Sequence, residues 1–401
     1  MSPSNPGWKP FSTKLPPLPR LFGSSRSALA VALVLGCNTV EQPDSQVWVL
    51  DGNTGREHWH AKVDAGLLGR PTVFREQLEL ERYAACSGAT LGHVAFDWDS
   101  GASRSAQTDG MLDVDGDWLL RKSDDGTRVE LLGGSPLAVQ NEAPLLESAD
   151  GGRIGEAYFS ADLVILSVEP ATCCDVTLIA LSREDFRERF RVTFPNATRV
   201  IPFRHRSSED PILAVTVQGN GGASRWVGLD ARTGTEAWSR VVGEVGLSTW
   251  IDGFAATVVG DRLLAIDAET IRALDSTTGA EIWSVESTDA GRSALGEHAL
   301  YVVSCPNDAG GNAPCAISSI DLANGKPSWT ESLGAPLGSE AVVAGSSVVV
   351  FGGEALRAFD VDDGAQRWSR EFQSTGTRGW HLSSRDSTLV LSRSADLSGC
   401  D

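Results

Sequence analysis

Basic charge is scarce in this 401-residue chain, where 34 Lys and Arg stand against 53 Asp and Glu for a formal net charge of −19. Binding to a phosphate backbone needs a basic surface, so nucleic acid is strongly disfavoured as a partner. Long apolar runs are missing too: Ala28–Leu35, near the amino terminus, falls far short of the roughly 20 residues of a membrane-spanning helix. No Gly-x-Ser-x-Gly elbow and no phosphate-binding Gly-rich loop occurs, and Gly219-Asn220-Gly221-Gly222 reads as a hairpin tip. His58, His60, His93, His205, His298 and His381 are dispersed without metal-ligand spacing, and no Cys-x-x-Cys pair is present, which disfavours zinc. These absences leave no catalytic constellation to assign.

What is abundant is a repeat. Asp, three residues, Gly, three residues, Trp recurs at Asp51–Gly55–Trp59, Asp230–Gly234–Trp238, Asp275–Gly279–Trp283, Asp321–Gly325–Trp329 and Asp360–Gly364–Trp368. The Asp residues from 230 to 321 are spaced 45 or 46 apart. A period of that length belongs to arrays in which one supersecondary unit buries its apolar face only by stacking on its neighbours. In Ile271–Trp283, an alternating strand runs into an Asp-Thr-Gly turn and a second strand carries the Trp. Asp hydrogen-bonds the amides ahead of it and Gly supplies a positive φ, so both residues do turn chemistry. Two residues before the Asp, the side chain is small at Ala95, Ala180, Gly228, Ala273, Ser319 and Ala358, with Val49 the exception. That leaves room for an indole against the backbone, and the Trp is expected to dock one blade onto the next. By the same alternation, Glu281 is expected on an exposed surface.

Degenerate copies complete the count. Asp97 and Gly101 are kept with Ser105 in place of Trp, Leu178–Ser182 is kept with Phe186 for Gly and Phe190 for Trp, and Thr127–Leu132 after Asp124-Asp125-Gly126 is a further strand. Eight units over the 365 residues from Cys37 average about 46 each, enough for four short strands per blade. The first unit starts at once with its Gln46–Asp51 strand, while Ser387–Ser392 in the tail reads as the strand that precedes an Asp strand elsewhere. The expected fold is therefore all-β: an eight-bladed β-propeller of four-stranded antiparallel blades, closed by C-terminal strands joining the N-terminal blade, which removes exposed sheet edges.

The pattern Ala-x-Asp-x-x-Thr-Gly-x-x-x-Trp, best kept at Ala273–Trp283, resembles the repeat of pyrroloquinoline-quinone (PQQ) type β-propellers across essentially the whole mature chain. That family includes quinoprotein alcohol dehydrogenases, which bind PQQ and Ca²⁺ in a central funnel. It also includes non-enzymatic propellers such as BamB, a lipoprotein of the outer-membrane barrel assembly machinery. The resemblance implies the fold and leaves both functions open. No base, calcium ligand or quinone floor can be matched residue by residue.

Residues 1–36 have the plan of a secretory signal: Lys9, Lys14, Arg20 and Arg26 with no acid, the apolar Ala28–Leu35, then Gly36 and Cys37. Val34-Leu35-Gly36-Cys37 resembles a lipobox with Cys37 as the lipidated residue; an ordinary cleaved signal or a membrane anchor is the alternative. Residues 37–46 then form a short tether and 47–401 the propeller. Without its first 36 residues the chain carries 30 basic against 53 acidic side chains. Cys305 and Cys315 flank the loop Pro306–Pro314 and are placed to pair, Cys86 and Cys400 are candidate partners, and adjacent Cys173-Cys174 reads as a vicinal disulfide. Asp113-Val114-Asp115-Gly116-Asp117 fails the EF-hand template and reads as a solvated turn before a Trp118–Lys122 strand. The expected function is a lipid-anchored, extracytoplasmic, monomeric propeller that binds or scaffolds envelope proteins, on the periplasmic face or the cell surface and without a cofactor. The alternative is a small PQQ-dependent oxidoreductase.

Overall fold

A computed structural model describes residues 45–394, apart from 64–66, 85–89, 105–110, 116, 124–127, 134–137, 145–152, 161, 170–174, 206–211, 220–223, 243–249, 252–255, 268–269, 287–291, 306–314, 335–338, 353–354 and 373–379. The described elements are strands, grouped into eight antiparallel blades in a ring. Blade 5 shows the plan. Its strands Ala197–Pro202, Ile212–Gly219, Ser224–Asp230 and Glu236–Val242 pair in chain order from the axis outward. Blades 6 and 7 each gain a two-residue strand on the inner edge, Arg204–His205 and Trp250–Ile251, paired parallel.

Blade 1 holds the closure. Its two outer strands, Ser45–Asp51 and Glu57–Val63, come from the start of the described chain, and its two inner strands, Trp380–Arg385 and Thr388–Arg393, come from the end. The register runs from Gln46 opposite Arg393 to Asp51 opposite Thr388, so Val47, Val49 and Leu50 are sealed beside Leu389, Val390 and Leu391. Closure works because each end brings half of one apolar sheet. Neither half can bury its faces alone.

The core lies between blades, in separate clusters. One joins Leu163, Ile165 and Phe190 of blade 4 to Val200, Val215 and Val227 of blade 5. The smallest, Phe74, Leu119 and Leu132, lies between blades 2 and 3. Three strand boundaries differ from the sequence reading: the first strand begins at Ser45, the blade 3 strand is Arg128–Gly133, and the closing strand is Thr388–Arg393. The acidic run around Asp113 also differs. Met111–Asp115 is the inner strand of blade 3 and only Asp117 is in the turn, because the Trp118–Lys122 strand folds back on it as a hairpin.

Candidate functional site

Each repeat motif builds a turn and one half of a joint. In the Asp51 turn, Oδ1 accepts the N–H of Asn53 (3.1 Å) and of Thr54 (2.8 Å) and the Thr54 hydroxyl (2.8 Å). Asp230 and Asp275 repeat this with Arg232 and Thr233, and with Thr277 and Thr278. Hydroxyl donation by Thr54, Thr233 and Thr278 is the main reason the three carboxyls sit below the ordinary range. At Asp360 the Asp362 amide, followed by Arg367, has the same effect. These carboxylates are committed to shaping the backbone.

The Gly of each turn is left-handed, with φ of 69° at Gly55 and 68° at Gly279. In the five Trp joints it has a second requirement: a Cβ would lie 2.6–2.7 Å from an indole carbon. That indole comes from the preceding blade. Trp59 lies on Gly101, Trp238 on Gly279, Trp283 on Gly325, Trp329 on Gly364 and Trp368 on Gly55. Every one of these indole N–H groups donates to the carbonyl just after the next blade's Asp: Trp98, Ser276, Leu322, Val361 and Gly52, at 2.8 to 3.2 Å. The ring's other edge lies over the small residue of its own blade, so a Cβ on Gly228 would meet Trp238 Nε1 at 2.2 Å. Burial of each indole contributes about 2–3 kcal/mol and its hydrogen bond about 1. In the joint from blade 4 to blade 5, Phe190 lies on Gly234 and brings the ring without the donor. Phe186 takes the left-handed position itself, at φ 55°. Glu281 sits in a network: its Oε2 accepts from Arg240 of blade 5 (2.5 Å) and from Arg272 (2.8 Å), so it ties blades 5 and 6.

The inner strands carry the polar groups nearest the axis. Asp113 Oδ2 accepts the Phe159 N–H of blade 4 (2.8 Å), and burial, with the Asp113 charge behind it, raises the Tyr158 phenol. Arg70 of blade 2 approaches Glu340 at the start of blade 8 (3.9 Å). His381 of blade 1 lies within their field; burial lowers its pKa, Glu340 opposes that and Arg70 adds to it. The trio spans three blades at the closure. No sequence signal marked it, because Arg70 and Glu340 sit in irregular leads to short inner strands.

A quinone and Ca²⁺ would need converging carboxylates and a free aromatic floor. Asp113 is bonded to Phe159, Glu340 faces Arg70, and Trp380 is buried in the aromatic stack with Phe351 at 4.1 Å and Trp48 at 5.9 Å. Among the described residues no three His, Cys, Asp or Glu side chains are grouped to hold a cation. The described donor set does not fit the pair. Of the six histidines, His58 and His60 are exposed two residues apart on the outermost strand of blade 1, with His60 paired to Glu57 (2.6 Å), and His298 is exposed on blade 7.

Cys305 and Cys315 form a disulfide across the base of their hairpin, between Ala299–Ser304 and Ala316–Asp321. Cys37, Cys86, Cys173, Cys174 and Cys400 lie outside the described residues, as does Asp124-Asp125-Gly126.

The family described as "Outer membrane protein assembly factor BamB", a PQQ-type repeat family, matches residues 174–283 and 267–397. No curated protein sequence matches the chain. Among solved structures, BamB from Moraxella catarrhalis shares 16% identity, covering 83% of this chain and 98% of that one, with a TM-score of 0.49. The quinohemoprotein alcohol dehydrogenase ADHIIG from Pseudomonas putida HK5 shares 11%, covering 82% and 70%, with a TM-score of 0.51. The computationally designed Ika8 protein shares 14%, covering 82% and 94%, also at 0.51. Identities this low bear on fold alone, and the designed protein shows that the fold exists apart from either natural role. The family match, which spans more than half of the chain and contains four of the five Trp motifs, goes further: the chain belongs to the BamB family of PQQ-type β-propellers.

Proposed function

We propose that this protein is an extracytoplasmic propeller that binds other proteins of the cell envelope and holds them in place, anchored by lipid at Cys37. The observation that carries the proposal is the BamB family match across residues 174–397. Two features support it. The Cys305–Cys315 disulfide suits an oxidising compartment, and the run Ala28–Cys37 has the plan of a lipoprotein signal. The motif residues themselves are spent on turns and joints, which leaves a rigid ring whose loops and rims are free to vary.

The test uses the full chain expressed with its leader. Intact-mass measurement is expected to show cleavage before Cys37 and a lipid mass on it, and Cys37→Ser is expected to give a soluble or unprocessed protein. A tagged wild type is then recovered from detergent-solubilised envelope after cross-linking. One envelope protein in near-stoichiometric yield, lost with Cys37→Ser, is the expected result. Unmodified Cys37 with cleavage elsewhere would reject the anchor. Recovery of the propeller alone, together with a saturable spectral change on adding PQQ and Ca²⁺, would favour the oxidoreductase.

A further inference from the structure

Leu264, Tyr301 and Val349 occupy equivalent positions in blades 6, 7 and 8, each opposite the small residue of its motif strand: Ala273, Ser319 and Ala358. Each must help fill the space between its blade and the motif turn of the next. Blade 7 fills it with a ring. Tyr301 lies over Gly296 and against Trp329, with centroids 5.8 Å apart, and its hydroxyl donates to the Val361 carbonyl (3.2 Å) that also takes the Trp329 N–H. Burial, reinforced by Asp362 and Asp360, pushes this phenol up to about 12. Blade 8 closes the space by approach, since Gly52 lies so near that a Cβ would stand 2.4 Å from the Ala344 Cβ.

The joint from blade 6 to blade 7 does neither. Leu264 is shorter than a tyrosine, and Val259 and Arg262 stand where blade 7 has Gly296 and Ala299. A half-open groove of about 280 Å³ results, with Val259, Leu264 and Leu322 beneath it and Glu297 and His298 at its mouth. Arg262 crosses it. Its Nη1 donates to the Leu322 carbonyl (2.8 Å), the oxygen that takes the Trp283 N–H, while its Nε is buried without a hydrogen bond and has Asp261 at 3.7 Å.

We propose that this groove receives an aromatic side chain, a phenol or an indole, from an extended segment of a partner protein, stacked on the Arg262 guanidinium. The equivalent space one joint further on is filled by the chain's own Tyr301, so its shape suits a ring. A guanidinium pinned along one edge offers its face to π electrons, and the half-buried Val259 gains from covering. Asp261, Glu297 and Asp321 around it oppose an acidic ligand. The proposal rests on the protein-binding reading and names a chemical feature of the partner.

The test is methyl NMR on the mature chain, labelled at Leu and Val and titrated with N-acetyl-tyrosinamide, N-acetyl-tryptophanamide and N-acetyl-leucinamide. Saturable shifts at Val259, Leu264 and Leu322 are expected, with the aromatic probes bound roughly threefold or more tighter than the leucine probe, as a surface cation–π contact gives. Leu264→Tyr, which fills the groove as Tyr301 fills its own, is expected to abolish binding without lowering the melting temperature. Arg262→Ala, at a partly exposed site, is expected to remove the aromatic preference and serves if the first variant misfolds. No saturable shift, equal binding of the three probes, or unchanged binding with Arg262→Ala would overturn the proposal. Because the probes need no membrane and no partner, failure here leaves the envelope reading standing, and failure of the recovery experiment leaves the groove standing.

Discussion

The arc from blade 5 through blade 8 to blade 2 and the arc from blade 2 to blade 5 solve one packing problem with different parts. In the first, five consecutive joints use an indole on a left-handed glycine with a hydrogen bond to the next turn. In the second, no joint does among the described residues. Between blades 2 and 3, Arg75 donates to the Asp117 carbonyl, Arg385 of blade 1 donates to the Arg75 carbonyl, and the apolar cluster shrinks to Phe74, Leu119 and Leu132. Between blades 3 and 4, Asn141 donates to the Glu184 carbonyl (2.8 Å) and Arg183 lies over Trp118 and Phe159. The difference separates what the ring requires from what the motif supplies. The ring requires a bridge to the next turn's backbone and a filled interface; the Trp-Gly pair is one means to both.

The largest test of that contrast cuts the regular arc at its seam. Deleting residues 383–401 removes the Thr388–Arg393 strand and exposes Val47, Val49 and Leu50, so a single cooperative melt is expected to be lost. A truncated chain that melts as the whole one does would reject closure as a source of stability. Next comes one joint. Trp283→Ala is expected to cost roughly 3–5 kcal/mol in a denaturant series, the range for a buried large aromatic. A cost near zero would mean that its docking on Gly325 contributes little.

A smaller change runs in the opposite direction and would sharpen the comparison. Phe190→Trp gives the irregular arc the donor it lacks, beside Ala180 and on Gly234, and is expected to stabilise by about 0.5–1.5 kcal/mol. Destabilisation would show that the pocket is fitted to the smaller ring. The smallest effect is on acid sensitivity. Asp51, Asp230, Asp275 and Asp360 have folded pKa values below their unfolded ones, so the stability they contribute is complete above about pH 4. It is lost as pH falls through the lowered values. His381, also lowered, adds a loss that begins lower than about pH 6.5, where the unfolded imidazole takes its proton first. Asp275→Asn is expected to flatten the acid limb of the stability curve slightly, and His381→Gln the limb near neutrality. Parallel curves for variant and wild type would reject either assignment.

The architecture was legible because its information is periodic. Asp, Gly and Trp have one permitted chemistry at each motif position, and the chain shows it five times, while the Ser387–Ser392 pattern has an apolar face with no other partner. The irregular joints were less legible, since Asn141 and Arg75 act through long polar side chains that carry no period. The sequence around Asp113 reads as a turn because acid next to glycine usually is one; Asp113 instead pairs with Leu120 in a local hairpin and is held by the Phe159 amide of the next blade, which is a long-range fact. The Arg70, Glu340 and His381 trio and the groove beside Leu264 depend on what three or two separate blades bring together. Composition within any one repeat contains none of that.

The shared blade also has a consequence in time. Its first strand and its last are joined by bonds that reach across more than 300 residues, as from Arg393 to Gln46. During synthesis, the Ser45–Asp51 strand therefore waits through seven other blades before the strand that covers it exists. Until then that strand has an unpaired edge, and the interval in which a chaperone or a neighbouring chain can seize it is set by the pace of translation.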